Sequence, residues 1–112
     1  MNNDIQEKIN QLSMLEQNMQ NFSLQKQQFQ SQLLEIESAE KEIEEAKESF
    51  KIIGSIMVSM DREHLKKELK EKREILQVRI ESFEKQENKL KEKAENLQKE
   101  VLSGMNKGDK EE

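Results

Sequence analysis

The chain has 112 residues, 32% of them apolar and 38% charged, with no Cys and a formal net charge of −5. One domain fits that length, but an ordinary globular interior does not, because it takes roughly 45–50% apolar and about 25% charged residues. Acids and bases are interleaved, which disfavours nucleic acid as a partner, and the missing Cys removes disulfides, zinc knuckles and thiol catalysis.

The first residues, MNNDIQEKI, lack the basic and apolar regions of a signal peptide, and no apolar run approaches the ~18 residues of a membrane span. A cytoplasmic protein with no membrane contact is the expectation. Residues 1–48 then contain neither Gly nor Pro and are dense in Gln, Glu, Lys and Leu, all good helix formers. Positions 12, 15, 19, 22, 26, 29, 33, 36, 40, 43, 47 and 50 follow a 3-4 spacing and are apolar at nine of twelve. A disordered chain would not keep that spacing; a coiled-coil seam does.

Residues 50–60 change character to FKIIGSIMVSM. Gly54-Ser55 is a signal for a two-residue turn of type II′ or I′, and the β-branched and apolar flanks suit strands. Ile53 should then face Ile56 and Lys51 face Val58 on one side, with Ile52 facing Met57 and Phe50 facing Ser59 on the other. Both faces are mostly apolar, and a lone hairpin of this kind is marginal in water. It should pair with hairpins of other subunits through Phe50, Ile52, Ile53, Gly54, Ile56, Met57 and Val58. Asp61 is placed to cap the next helix, with Glu63 in its first turn.

From 62 to 103 the spacing resumes: positions 69, 73, 76, 80, 83, 87, 90, 94, 97, 101 and 104 are large and apolar at seven of eleven. Five Glu residues here precede a Lys by four positions, from Glu63–Lys67 to Glu95–Lys99, and should support the helix from its wet side. The tail from Ser103 holds two of the three glycines and should fray. Pairing residues whose numbers add to 109 sets Leu12 against Leu97, Met19 against Leu90 and Leu33 against Leu76, and centres the fold-back on Gly54-Ser55. Lys26 and Glu87 then fall in neighbouring layers and can reach each other. The expected fold is mainly α: one domain over 1–112, a long antiparallel two-helix coiled coil joined by a single β-hairpin. Its bounds are a helix over about 4–48, the hairpin over about 50–60, a helix over about 62–103 and a frayed tail over 104–112.

No catalytic constellation is present. His64 is the only histidine and has no nucleophile around it, while the many carboxylates lie on wet helix faces. No cofactor or metal is expected. Apolar residues off the seam are more informative. Leu34, Leu65, Ile75 and Val78 should widen the stripe near the strands. At the other end Ile9, Met14, Leu102 and Met105 add to the seam residues Ile5, Leu12, Leu97 and Val101, and these eight are the candidates for gripping other proteins. The first 32 residues carry only five charges and are rich in Gln and Asn, so they can meet many apolar sequences without a strong charge preference.

The segments LQKQQFQSQL (24–33), FKIIGSIMV (50–58) and EKREILQVRIESFEKQENKLKEKAENLQ (71–98) resemble the archaeal prefoldin β subunits over roughly residues 5–100. Phe50 stands where Tyr is common in that family. The resemblance implies an ATP-independent co-chaperone, a hexamer of two α and four β subunits. Its hairpins join in an intersubunit β-barrel, and its coiled-coil tips hold non-native proteins and pass them to a group II chaperonin. A structural coiled-coil scaffold or dimerisation module is the alternative reading.

Overall fold

The computed structural model describes residues 2–111, with side chains placed for residues 3–106. Two long helices, α1 (Asn2–Glu45) and α2 (Arg62–Glu111), are joined by strands β1 (Phe50–Ile53) and β2 (Ile56–Ser59). By their internal contacts the residues form two compact units. One consists of Met1–Lys26 with Ser82–Glu112, the other of Gln27–Glu81.

The seam is where its spacing puts it. On α1 every seam position from Leu12 to Ile43 is buried or half-buried, and so are all eleven on α2 from Leu69 to Gly104. Between 69 and 106 no other position is covered even that far. Lys47 and Phe50 depart from the pattern and are exposed, because α1 ends at Glu45 and the stripe has no helix left to carry it. The most covered residues of the Gln27–Glu81 unit are Ile43, Leu65, Leu76 and Ile80; in the other unit they are Ala94 and Val101. Among the described residues no large side chain is completely enclosed. Two helices alone can cover one stripe each, and a seam this thin is the whole interior.

Leu65 corrects one expectation. It lies on the seam, four residues before Leu69, and is only 8% exposed. Leu34 and Ile75 also separate: Leu34 follows seam residue Leu33 by one position and Ile75 precedes seam residue Leu76 by one. On antiparallel helices those offsets put the two on opposite flanks rather than in one patch.

The hairpin pairs Phe50 with Ser59, Lys51 with Val58, Ile52 with Met57 and Ile53 with Ile56, the expected register. Gly54 has φ +62° and among the described residues no other has a positive φ, which selects the type II′ turn over I′. Pairing continues one step beyond the strands, where Met60 N–H donates to the Ser49 carbonyl at 3.0 Å and Ser49 Oγ–H donates to the Met60 carbonyl at 2.6 Å. Asp61 then occupies the cap position of α2, its carbonyl accepting the Leu65 N–H at 3.0 Å. The Arg62 guanidinium reaches back to the Ala46 carbonyl at 3.2 Å and satisfies an acceptor that the end of α1 leaves open.

At its far end α2 does not stop at Ser103. It runs on through Gly104 to Glu111. Gly104 is a seam residue: a Cβ there would stand 3.3 Å from Cδ1 and Cγ1 of Ile5. The missing side chain leaves room for Ile5 at this point, against the ~1 kcal/mol that a glycine inside a helix costs.

Candidate interaction surfaces

In the Gln27–Glu81 unit the hairpin leaves six large apolar residues in water. Phe50, Ile52, Ile53, Ile56, Met57 and Val58 are all exposed, Val58 least at 40% and Ile52 most at 69%. Successive strand residues point to opposite faces, so apolar surface is presented on both. The face bearing Lys51, Ile53, Ile56 and Val58 is fixed by Lys51 Nζ, which donates to Glu68 Oε1 on α2. That hydrogen bond, reinforced by the nearby charges of Lys51, Lys72 and His64, holds the Glu68 carboxyl below the usual glutamate range, although desolvation works the other way.

The second unit gathers the helix ends, and there the eight candidates divide. Ile9, Met14, Leu102 and Met105 are exposed, from 38% at Ile9 to 64% at Met14. Ile5, Leu12 and Leu97 are half-buried in the seam, so only an edge of each is on offer. Val101, at 8% exposed, is interior and presents nothing to a partner; its seam position between the helices takes it out of the candidate set. The exposed four occupy two flanks. Ile9, Leu102 and Met105 each follow a seam position by one residue, whereas Met14 precedes one.

On the Met14 flank lies an open groove of about 520 Å³ between the two helices. Leu15 and Leu97 form its floor and Met14 its rim. Sequence reading did not find it. The signal was there, since Gln11, Met14, Asn18, Lys93, Asn96 and Glu100 all stand one residue before a seam position.

Both units carry a charged layer inside the seam. In one, Lys26 Nζ lies 3.2 Å from Glu87 Oε2 with both side chains less than a quarter exposed, and Phe22 and Phe83 stack beside it at 5.7 Å in a tilted pair. The expected Lys26–Glu87 contact is therefore made. In the Gln27–Glu81 unit, Arg73 Nε lies 3.2 Å from Glu40 Oε1, close enough to pair as ions though not aligned as a hydrogen bond. Arg79 stands over the Phe29 ring at 5.7 Å. The Glu40–Arg73 layer escaped the sequence reading, although both residues occupy seam positions. The five Glu–Lys pairs spaced by four do not close within 4 Å among the described residues; apart from Glu63–Lys66, Lys and Glu meet between elements, as in Lys8–Glu100 and Lys66–Glu44. Long exposed side chains gain little from such pairing and stay in water.

Among the described residues no group of His, Asp or Glu could hold a metal ion, and no helix is long and apolar enough to cross a membrane. His64 is exposed at the start of α2. The exposed apolar residues of the hairpin and of the helix ends are the candidate contact surfaces.

Residues 6–107 match the family model described as prefoldin subunit. The chain is 36% identical to prefoldin subunit beta of Thermococcus onnurineus over 104 residues, 90% of each chain. It is 32% identical to prefoldin subunit beta of Pyrobaculum islandicum over 100 residues, which is 87% of this chain and 80% of that protein. Its fold is similar to the crystal structure of the prefoldin beta subunit from Thermococcus strain KS-1, with a TM-score of 0.86 at 35% identity over 90% of this chain and 91% of that one.

Proposed function

The chain belongs to the prefoldin family, its relatives there being β subunits, and from that premise we propose how this co-chaperone divides its work between two surfaces. The hairpin is the assembly surface. Its six exposed apolar residues join those of sister subunits in a β-barrel, within a hexamer of two α and four β chains. The helix ends are the capture surface, where Ile9, Met14, Leu102 and Met105, backed by the edges of Ile5, Leu12 and Leu97, hold non-native proteins in the cytoplasm and release them to a group II chaperonin.

The observation that supports this reading is the exposure of those four large apolar residues around the helix ends. A scaffold that merely zips two helices has no use for them. Each contributes only ~1.5–3 kcal/mol even if fully covered, so one subunit holds a client weakly, and several subunits around the same client gain by effective concentration. Release then needs no nucleotide, and no catalytic step enters.

Removing residues 1–18 and 91–112, which takes away Ile9, Met14, Leu102 and Met105 together, tests the division. Hexamer mass by light scattering should be retained, and suppression of client aggregation should be lost. Full suppression by the shortened chain would sink the capture assignment.

A further inference from the structure

Resting on that capture reading, we propose that the groove on the Met14 flank seats an extended apolar segment of a client, about three residues long, with a carboxylate at the Lys93 end. Three features of the groove carry this. Its floor and rim are apolar: Leu15, Leu97 and the flexible, exposed Met14. Its sides are carboxamides, since Gln11, Asn18 and Asn96 all line it and all are exposed. Its two ends differ in charge.

The carboxamides decide the form of the occupant. Each offers two N–H donors and a carbonyl acceptor. An extended segment arrives with its backbone N–H and C=O groups unpaired and must lose water from them on docking; amides along both sides replace that water. A helical segment has already satisfied its backbone and would leave the amides facing side chains. The size agrees. Gln11 and Asn18 are seven residues apart on α1, about 10 Å at 1.5 Å per residue, and an extended chain covers that in about three residues.

The ends decide the direction. Glu100 lies at the Gln11 end, where Lys8 pairs with it at 3.5 Å. Lys93, seven residues earlier on α2, lies at the Asn18 end and makes no ion pair within 4 Å among the described residues. The groove therefore has one uncompensated cation at one end, and a client carboxylate answers it.

The test uses the full chain and fluorescence anisotropy with three labelled peptides. One has a flexible Val-Leu-Val core followed by Asp, the second has Lys for that Asp, and the third holds the first sequence in a helix by a side-chain staple. The flexible Asp peptide should bind about fivefold more tightly than the Lys peptide, the worth of one part-exposed charge pair, and more tightly than the stapled one. Lys93→Glu should reverse the Asp/Lys preference, and Met14→Glu should weaken binding about tenfold or more, with unchanged helicity since both side chains are exposed. Equal or tighter binding of the stapled peptide, indifference to the charge, or a change in oligomer mass on Met14→Glu (a second copy of the chain in the groove) would each overturn the proposal. Leu102→Glu with Met105→Glu, on the other flank, separates the two levels. If that pair abolishes aggregation suppression while Met14→Glu and Lys93→Glu leave it intact, the groove assignment fails and capture at the helix ends stands. If neither flank matters, both fail.

Discussion

The hairpin and the helix ends both leave apolar side chains in water, but at very different density. Within nine consecutive residues, 50–58, the hairpin exposes six large apolar side chains on two faces. The helix ends expose four, divided between two flanks. At ~1.5–3 kcal/mol for each side chain fully covered, the hairpin can yield roughly 10 kcal/mol or more, and one flank of the helix ends no more than roughly 3–9. Association itself costs an estimated 4–15 kcal/mol in lost freedom. The first figure can sustain a lasting union, and the second sustains a grip that lets go. In the proposed reading the same residue types serve both surfaces, and their density sets the difference in how firmly each is held.

The sharpest way to break this contrast is to charge the hairpin. Ile53→Asp with Val58→Asp, both on the Lys51 face, should weaken assembly at least about 100-fold. Far-UV helicity should largely persist, because neither residue touches the seam. Normal hexamers from this variant, measured by light scattering, would remove the hairpin from the assembly role.

A smaller change acts on the other unit alone. Lys26→Glu places a second carboxylate against Glu87 where both side chains are mostly covered. It should cost about 2 kcal/mol in urea unfolding, a value reduced from that of a fully buried pair because water still reaches the site. Exchanging the partners, Lys26→Glu with Glu87→Lys, should recover most of it. Assembly should not respond to either variant; if it does, the two surfaces are not independent.

The smallest effect is a pH response at the hairpin's anchor. Glu68 has its pKa lowered on folding, chiefly by the hydrogen bond from Lys51. The stability it contributes is therefore present above the pKa of an unfolded glutamate and is lost as pH falls through the lowered folded value. Acid should loosen the hairpin from α2 in that window, and Glu68→Gln should flatten the response in thermal unfolding between neutral and acid pH. An unchanged acid limb in Glu68→Gln would mean that other carboxylates set it.

Much of this was legible in the chain. The seam from Leu12 to Ile43 and from Leu69 to Gly104 follows from a 3-4 spacing that few other structures tolerate, and the hairpin register follows from one glycine and the alternation around it. What escaped the reading depends on three-dimensional context. Gly104 looked like a helix stop, because glycine usually weakens a helix; the helix passes through it, with Ile5 facing the place where a side chain would stand. Leu65 looked like an off-seam residue that widens the stripe, because the 3-4 count carried back from Leu69 reaches Lys66, yet it is among the most covered residues of its unit. Val101 looked available because it is near the end of the chain, yet its seam position covers it. The groove beside Met14 could have been found by tracking the residues one position before the seam, a periodicity carried by amides and charges rather than by apolar residues, and therefore easy to overlook.

The two charged layers present their signs in opposite order: base on α1 and acid on α2 at Lys26–Glu87, acid on α1 and base on α2 at Glu40–Arg73. Sliding one helix past the other by fourteen residues brings Lys26 to Arg73 in one direction and Glu40 to Glu87 in the other. Either slip is a whole number of heptads and so keeps the apolar spacing, yet it sets like charges together in a part-dry seam and is disfavoured. Arms of this kind can grow or shrink over evolutionary time only by matched insertions or deletions in both helices; a heptad gained by one helix alone would be out of step with its partner from that point on.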